Sequence, residues 1–379
     1  MAIDKSTFCK YPFEGLFLRT NGDLAPCCAM QGNLGSIKDS ESINDIMHND
    51  IAKSMRTAIL NNEWHNACEY CRTAEEKGQQ SQRLHSFERY DELKDFVHED
   101  YYKPRETDIR WNNICNLTCN YCGPHFSSAW AKIKEEYGYL NTKQQEQKVL
   151  EYLEENQDEI VVFSLLGGEP FLHKSNAILA DKYPNKRFSI LSNFSFNFDS
   201  NTIIKKFLKL KNVGWGVSCE NIGKRHEYVR QGSSWVQFVD NIKKVYNVTK
   251  KKIHIFPTYN VYCALHLVEF YDFIFLNDYF DTVLWQGLIQ PKELDISLQP
   301  KEIKDKAILQ IDLVLDKYKD IKPIEKSALL DLKSGIIDSY NNVIGVEERR
   351  KFHHDIENVY MDKDHTLEEI FPDIFNSLK

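Results

Sequence analysis

Between about residues 105 and 292, short apolar runs alternate with stretches of helical character. The runs are "TDIRWNN", "EIVVFSLLGG", "KRFSILSN", "NVGWGVSC", "KIHIFPTYNVYC" and "DTVLWQGLIQ". Each but the last is followed by a helical stretch, such as "FSSAWAKIKEEYGYL" or "WVQFVDNIKKVYNV". Strands in alternation with helices predict an α/β fold with a parallel sheet covered by helices, either an open doubly wound sheet or a partial barrel. In both, function gathers at the C-terminal ends of the strands.

The flanking regions follow other patterns. In residues 1–100, Ile43, Ile46, Met47, Ile51, Met55 and Ile59 keep helical spacing after a capping pattern, Ser42-x-x-Asp45, and predict one helix. The rest of that region is loop-rich and is not expected to fold by hydrophobic burial alone, so metal ligation is one means of holding it together. From residue 298 the chain turns helical, with Ile303, Ala307, Ile308, Ile311, Leu315 and Tyr318 in a stripe. A helical extension packing on the sheet region is expected over 298–379.

Composition narrows the classes of partner. The 379 residues carry a net charge of −8, which gives no indication of a nucleic-acid or anionic-membrane partner. No apolar run approaches the ~18–20 residues that cross a bilayer, and "MAIDKSTFCKYPFEG" lacks the basic start and apolar stretch of a secretion signal. A cytoplasmic location is therefore expected. In a reducing compartment the ten cysteines are better candidates for metal ligands than for disulfides.

"CNLTCNYC" places Cys115, Cys119 and Cys122 just after the first strand, at the functional rim. Thiolates suit zinc or iron–sulfur clusters. A closed zinc site needs a fourth ligand, and the next cysteine is Cys219. A [4Fe–4S] cluster held by three cysteines instead leaves one iron open to a substrate or cofactor.

Cys-x3-Cys-x2-Cys with an aromatic residue, Tyr121, before the last cysteine resembles the radical S-adenosylmethionine enzymes. The "LLGGEP" ending the second strand extends the resemblance, which implies that Gly167, Gly168 and Glu169 bind the amino group of the methionine moiety. Glycines permit close backbone approach, and a carboxylate accepts hydrogen bonds from an ammonium. The resemblance further implies that Asn193 contacts the cofactor and that Ser218 and Arg230 bind its ribose and carboxylate. Over 105–297 it implies a partial (β/α)6 barrel.

"FCKYPFEGLFLRTNGDLAPCC" and "CEYC" resemble the auxiliary-cluster module called a twitch domain, a relative of the SPASM domain. The resemblance implies a second [4Fe–4S] cluster on Cys9, Cys27, Cys68 and Cys71 within a domain over 1–100, with Gly22 in the hairpin turn "TNGD". A structural four-cysteine zinc site remains the alternative. Cys28, next to Cys27, is expected to be a bystander, since adjacent cysteines seldom face one metal.

Together these imply an enzyme that reductively cleaves S-adenosylmethionine to a 5′-deoxyadenosyl radical, which takes a hydrogen atom from a peptide or a sugar-type substrate. The auxiliary cluster would accept an electron, and flavodoxin or ferredoxin would donate one. Trp111, Trp215, Tyr259 and Trp285, near strand ends, could line a substrate site, core packing being their commoner use. A non-catalytic iron–sulfur or zinc protein that binds a partner is the rival. Epimerisation of a peptide, with Cys219 as hydrogen donor ahead of Cys28 and Cys263, is a further possible outcome; the alternative for Cys219 is a small buried hydrophobe.

Overall fold

The computed structural model describes residues 6–40, 42–76, 78, 80–89, 98–137, 141–288, 290–359 and 365–379. Its centre is a nine-stranded sheet. In chain order the strands are β1 (Gly15–Leu18), β2 (Asp23–Ala25), β3 (Gly35–Ser36), β4 (Glu106–Ile109), β5 (Val162–Leu165), β6 (Arg187–Ser192), β7 (Val213–Val217), β8 (Ile253–Ile255) and β9 (Phe280–Val283). Across the sheet they run β9-β8-β7-β6-β5-β4-β1-β2-β3.

The six strands expected from the apolar runs are β4 to β9, all parallel and side by side in strict chain order. A doubly wound sheet reverses its order at a switch point. Without that reversal, crossovers of one hand place every helix on the same face, which is the half-barrel arrangement. Burial agrees. Phe163, Phe188, Ile190, Val213 and Trp215 face the helices and are buried, whereas Ser164, Ser189, Leu191 and Gly214 alternate onto the other face and are half-buried or exposed.

The N-terminal segment joins this sheet. β1 pairs in parallel with β4, Phe17 opposite Asp108, and antiparallel with β2. The β1–β2 turn is the expected "TNGD" one, with Gly22 at φ +91° and its N–H on the Arg19 carbonyl at 2.9 Å. The single helix expected over 43–59 is two, Ile43–Met47 and Asp50–Leu60. Ser42 caps the first through the Asp45 N–H, as the pattern predicts. Asn49 interrupts the run because its side chain caps the second helix through Ala52 N–H and also donates to the Leu34 carbonyl. Ile51, expected on the buried stripe, is consequently exposed.

One helix shows how local pattern positions the site. Trp235–Thr249 starts at Ser234, which accepts from the Gln237 N–H, and buries Phe238, Asn241, Ile242 and Val245 at helical spacing. Asn241 is the polar member of that stripe. Its amide donates to the Phe194 and Phe196 carbonyls at 2.9 and 2.8 Å, fixing the loop that follows β6.

The C-terminal region is helical as expected, through Lys301–Lys317, Pro323–Asp338 and Val346–Val359. Phe371, near the chain end, packs on Tyr228 and Tyr262. "NVYC" within the fifth apolar run forms a short helix, Val261–Ala264, because Asn260 caps it. Among the described residues no helix is long and apolar enough to cross a membrane.

Candidate functional site

The three-cysteine loop leaves β4 and is pinned from two sides. On one, Ser128 Oγ accepts the Cys115 N–H at 3.2 Å and Trp130 Nε1 donates to the Cys119 carbonyl at 3.0 Å. On the other, Thr118–Cys119 pairs with Arg230–Gln231, and the Asn120 N–H reaches the Val229 carbonyl at 2.8 Å. Burial pushes the thiols up, Cys115 to about 12, and Arg230 pulls Cys119 and Cys122 back.

The loop after β5 packs directly against the cysteine loop. Gly167 and Gly168 take φ +74° and +56°. A Cβ on Gly168 would stand 2.2 Å from the Ile114 carbonyl oxygen, and one on Gly167 2.5 Å from the Arg110 Cβ. Both positions therefore require glycine for the protein's own contacts. Glu169 follows, 1% exposed, its N–H on the Ile114 carbonyl at 2.7 Å.

Three donors orient the Glu169 carboxylate, leaving one of its roughly four acceptor positions unused. It accepts from the Ser192 hydroxyl and the Asn193 N–H, each at 2.8 Å, and from the Phe171 N–H at 3.1 Å. Burial nevertheless pushes its carboxyl up to about 7. The Asn193 amide in turn donates to Asn116 Oδ1 at 3.1 Å and lies 3.7 Å from the Cys115 sulfur. Ser218 continues β7, its N–H on the Ser192 carbonyl at 3.0 Å.

Arg230 is buried beside the same loop. Its Nη2 donates to Glu220 Oε2 at 2.6 Å, and its Nη1 stands 4.0 Å from the Cys119 sulfur. The guanidinium lies over the Tyr121 ring at 5.5 Å, and the Tyr121 hydroxyl donates to Glu220 Oε1 at 3.2 Å. Glu220 has no exposed surface, and the motif reading missed it. The available signal was a carboxylate just past a strand end, in "VSCEN".

The structure thus gathers Cys115, Cys119, Tyr121, Cys122, Gly168, Glu169, Asn193 and Arg230. Cys219, within electrostatic reach of Arg230, turns away into the core. Its thiol donates to the Asn221 carbonyl at 3.2 Å and faces His226 Nδ1 at 3.7 Å, inside the core. Cys263 is likewise buried, on the Asn260 carbonyl. Trp111, Trp215, Tyr259 and Trp285 all belong to the core.

A second site lies in the N-terminal region. Cys9, before the helix Tyr11–Glu14, Cys27, after β2, Cys68, in the turn Asn66–Cys68, and Cys71, in the helix Glu69–Glu76, line one cavity together with Trp64 and Arg83. Burial pushes Cys68 up to about 11, with Cys71 adding to the shift. Cys28 is exposed. Arg83 is held on Glu75 and donates to the Phe8 carbonyl at 2.9 Å. Among the described residues, the thiol, imidazole and carboxylate groups that bring three ligand atoms within 4.8 Å of one another are His98, Glu99 and Asp100; neither cysteine set does so. All ten cysteines are free thiols.

Fold and sites define a β/α half-barrel with one thiol-rich site at the strand ends and another beside the added hairpin. The chain carries a radical SAM superfamily domain, matched over residues 109–270, and an iron–sulfur cluster-binding domain, SPASM, matched over residues 9–72. Solved structures with partial likeness include native anSMEcpe with bound AdoMet, at 19% identity and a TM-score of 0.43, covering 57% of this chain and 61% of that one. SuiB of Streptococcus suis bound to S-adenosylmethionine matches at 16% identity and 0.41, covering 70% and 61%. The FeFe-hydrogenase maturase HydG of Carboxydothermus hydrogenoformans matches at 11% and 0.34, covering 87% and 94%. This chain spans about three fifths of the length of the first two. No curated protein matches it.

Proposed function

We propose that the protein is a radical S-adenosylmethionine enzyme with two [4Fe–4S] clusters, one on Cys115, Cys119 and Cys122 and the other on Cys9, Cys27, Cys68 and Cys71. The observation that carries this reading is the link from Glu169 through Asn193 to the Cys115 sulfur. It sets a carboxylate fit for an ammonium beside a set of three thiols that leaves one metal position open. A structural four-thiolate zinc site on Cys9, Cys27, Cys68 and Cys71 is the alternative at the second position, and metal analysis separates the two.

When bound, the cluster of the three-cysteine loop supplies the electron that cleaves S-adenosylmethionine to methionine and a 5′-deoxyadenosyl radical, which takes a hydrogen atom from substrate. The chain's own residues bind and orient. Glu169, already aimed by three donors, receives the methionine ammonium. Ser218 and Arg230 lie along the same rim for the ribose and the carboxylate. The sheet face bearing Ser164 and Ser189, left open at Gly214, would offer small polar groups to a peptide or sugar-type substrate. Cys9, Cys27, Cys68 and Cys71 would hold the auxiliary cluster with four thiolates, a closed ligation that would suit electron acceptance and net oxidation. A small electron-transfer protein, flavodoxin or ferredoxin, would deliver the reducing electron, and free thiols suit the cytoplasm.

Anaerobic reconstitution followed by iron and sulfide analysis is expected to give two clusters per chain. The reduced protein should form 5′-deoxyadenosine, slowly without substrate, and Cys115→Ala, Cys119→Ala or Cys122→Ala should abolish this. Cys68→Ala and Cys71→Ala should spare cleavage and stop product formation. Zinc at both sites sinks the reading, and absence of cleavage under strong reduction leaves a non-catalytic binding protein.

A further inference from the structure

We propose that Glu220 is a positioning residue for the three-cysteine cluster, holding the Arg230 guanidinium against the Cys119 sulfur and so setting how readily that cluster takes up an electron. This rests on the function proposed above. The geometry is a closed network. Both carboxylate oxygens of Glu220 are used, one by Arg230 and the other by the Tyr121 hydroxyl. Tyr121 lies next to Cys122 in the chain, so the network is tied to the ligand loop at two of its three cysteines.

The electrostatics give the pair opposed effects. Glu220 is fully buried and Arg230 is 4% exposed, so their charges are poorly screened by water. Arg230 keeps an unpartnered Nε and turns its Nη1 to the Cys119 sulfur, whereas Glu220 compensates its charge from the far side. One-electron reduction adds a negative charge to the cluster. A neighbouring cation favours the reduced state and an anion opposes it, and cluster potentials follow local net charge and hydrogen bonding to sulfur. Glu220 therefore holds Arg230 in place and also damps its pull.

The test is an anaerobic redox titration with dithionite, followed by electron paramagnetic resonance, on the full chain with both clusters and without S-adenosylmethionine. Glu220→Gln removes the negative charge and is expected to move the midpoint of the three-cysteine cluster upward. Arg230→Met removes the positive one and is expected to move it downward. The auxiliary cluster should stay fixed in both, serving as the internal reference. Shifts in one common direction, or none, overturn the proposal, because a merely structural pair would not give opposite signs. Should either variant lose the cluster, Tyr121→Phe is read instead. It keeps both charges and removes a donor to Glu220, so the midpoint should fall, and an unmoved midpoint overturns the proposal. An unsubstituted chain with no cluster on Cys115, Cys119 and Cys122 overturns the function itself, and this role with it.

Discussion

The Ile114 carbonyl oxygen lies 2.2 Å from where a Cβ on Gly168 would stand, so the loops after two neighbouring strands meet backbone to backbone. That contact sets the height of the cysteine loop above Glu169.

Gly168→Ala is accordingly expected to displace the loop. The residue sits at φ +56°, where a side chain costs roughly 1–2 kcal/mol before any clash is counted. Iron analysis should show loss of the cluster on Cys115, Cys119 and Cys122, with the auxiliary cluster retained. Full iron content with an unchanged spectrum would count against this account of the contact.

Glu169 predicts a pH dependence. Burial raises its carboxyl from 4.5 to about 7 in the folded chain, so the folded state keeps this proton to higher pH than the unfolded state does. Stability from this group should then fall as pH rises between about 4.5 and about 7, and level off above. Ligand binding runs the other way, since only the ionised carboxylate balances an ammonium. Calorimetric affinity for S-adenosylmethionine should weaken about tenfold per pH unit below the apparent value and be flat above it. A flat profile from pH 5 to 8 would exclude Glu169 as the ammonium partner.

Arg56 predicts a stability effect away from the strand ends. It is fully buried, with Nη1 donating to the Pro12 carbonyl at 3.1 Å, both terminal nitrogens to that of Met47, and Nε to that of Glu99. Arg56→Met leaves these carbonyls without donors and should cost about 3 kcal/mol in urea denaturation. Arg56→Lys should recover part of it. A cost under about 0.5 kcal/mol would show that water replaces the guanidinium.

Cys219 is expected to take no part in hydrogen donation. Its thiol is committed to the Asn221 carbonyl within the core, so Cys219→Ala should leave 5′-deoxyadenosine formation and turnover unchanged, at about 1 kcal/mol of stability. Solvent deuterium in the wild-type product, absent from the mutant's, would instead make it the donor.

The sequence by itself determined the six strands, their helices and the identity of the seven candidate thiol ligands. Alternating and helical periodicities are written over a few neighbouring residues, and cysteine spacing within "CNLTCNYC" and "CEYC" is equally local. It also marked Gly167 and Gly168, but for ligand approach, whereas their packing against Arg110 and Ile114 is a separate demand that only the folded loops reveal. Tertiary structure alone decided that β1 joins β4 in one sheet, that Cys219 turns into the core, and that Glu220 meets Tyr121 and Arg230. Tyr121 and Glu220 are 99 positions apart, and no periodicity links them. Their meeting follows from crossovers that carry the ends of β4 and β7 to one rim, where burial makes an unpaired charge too costly and so selects the partner.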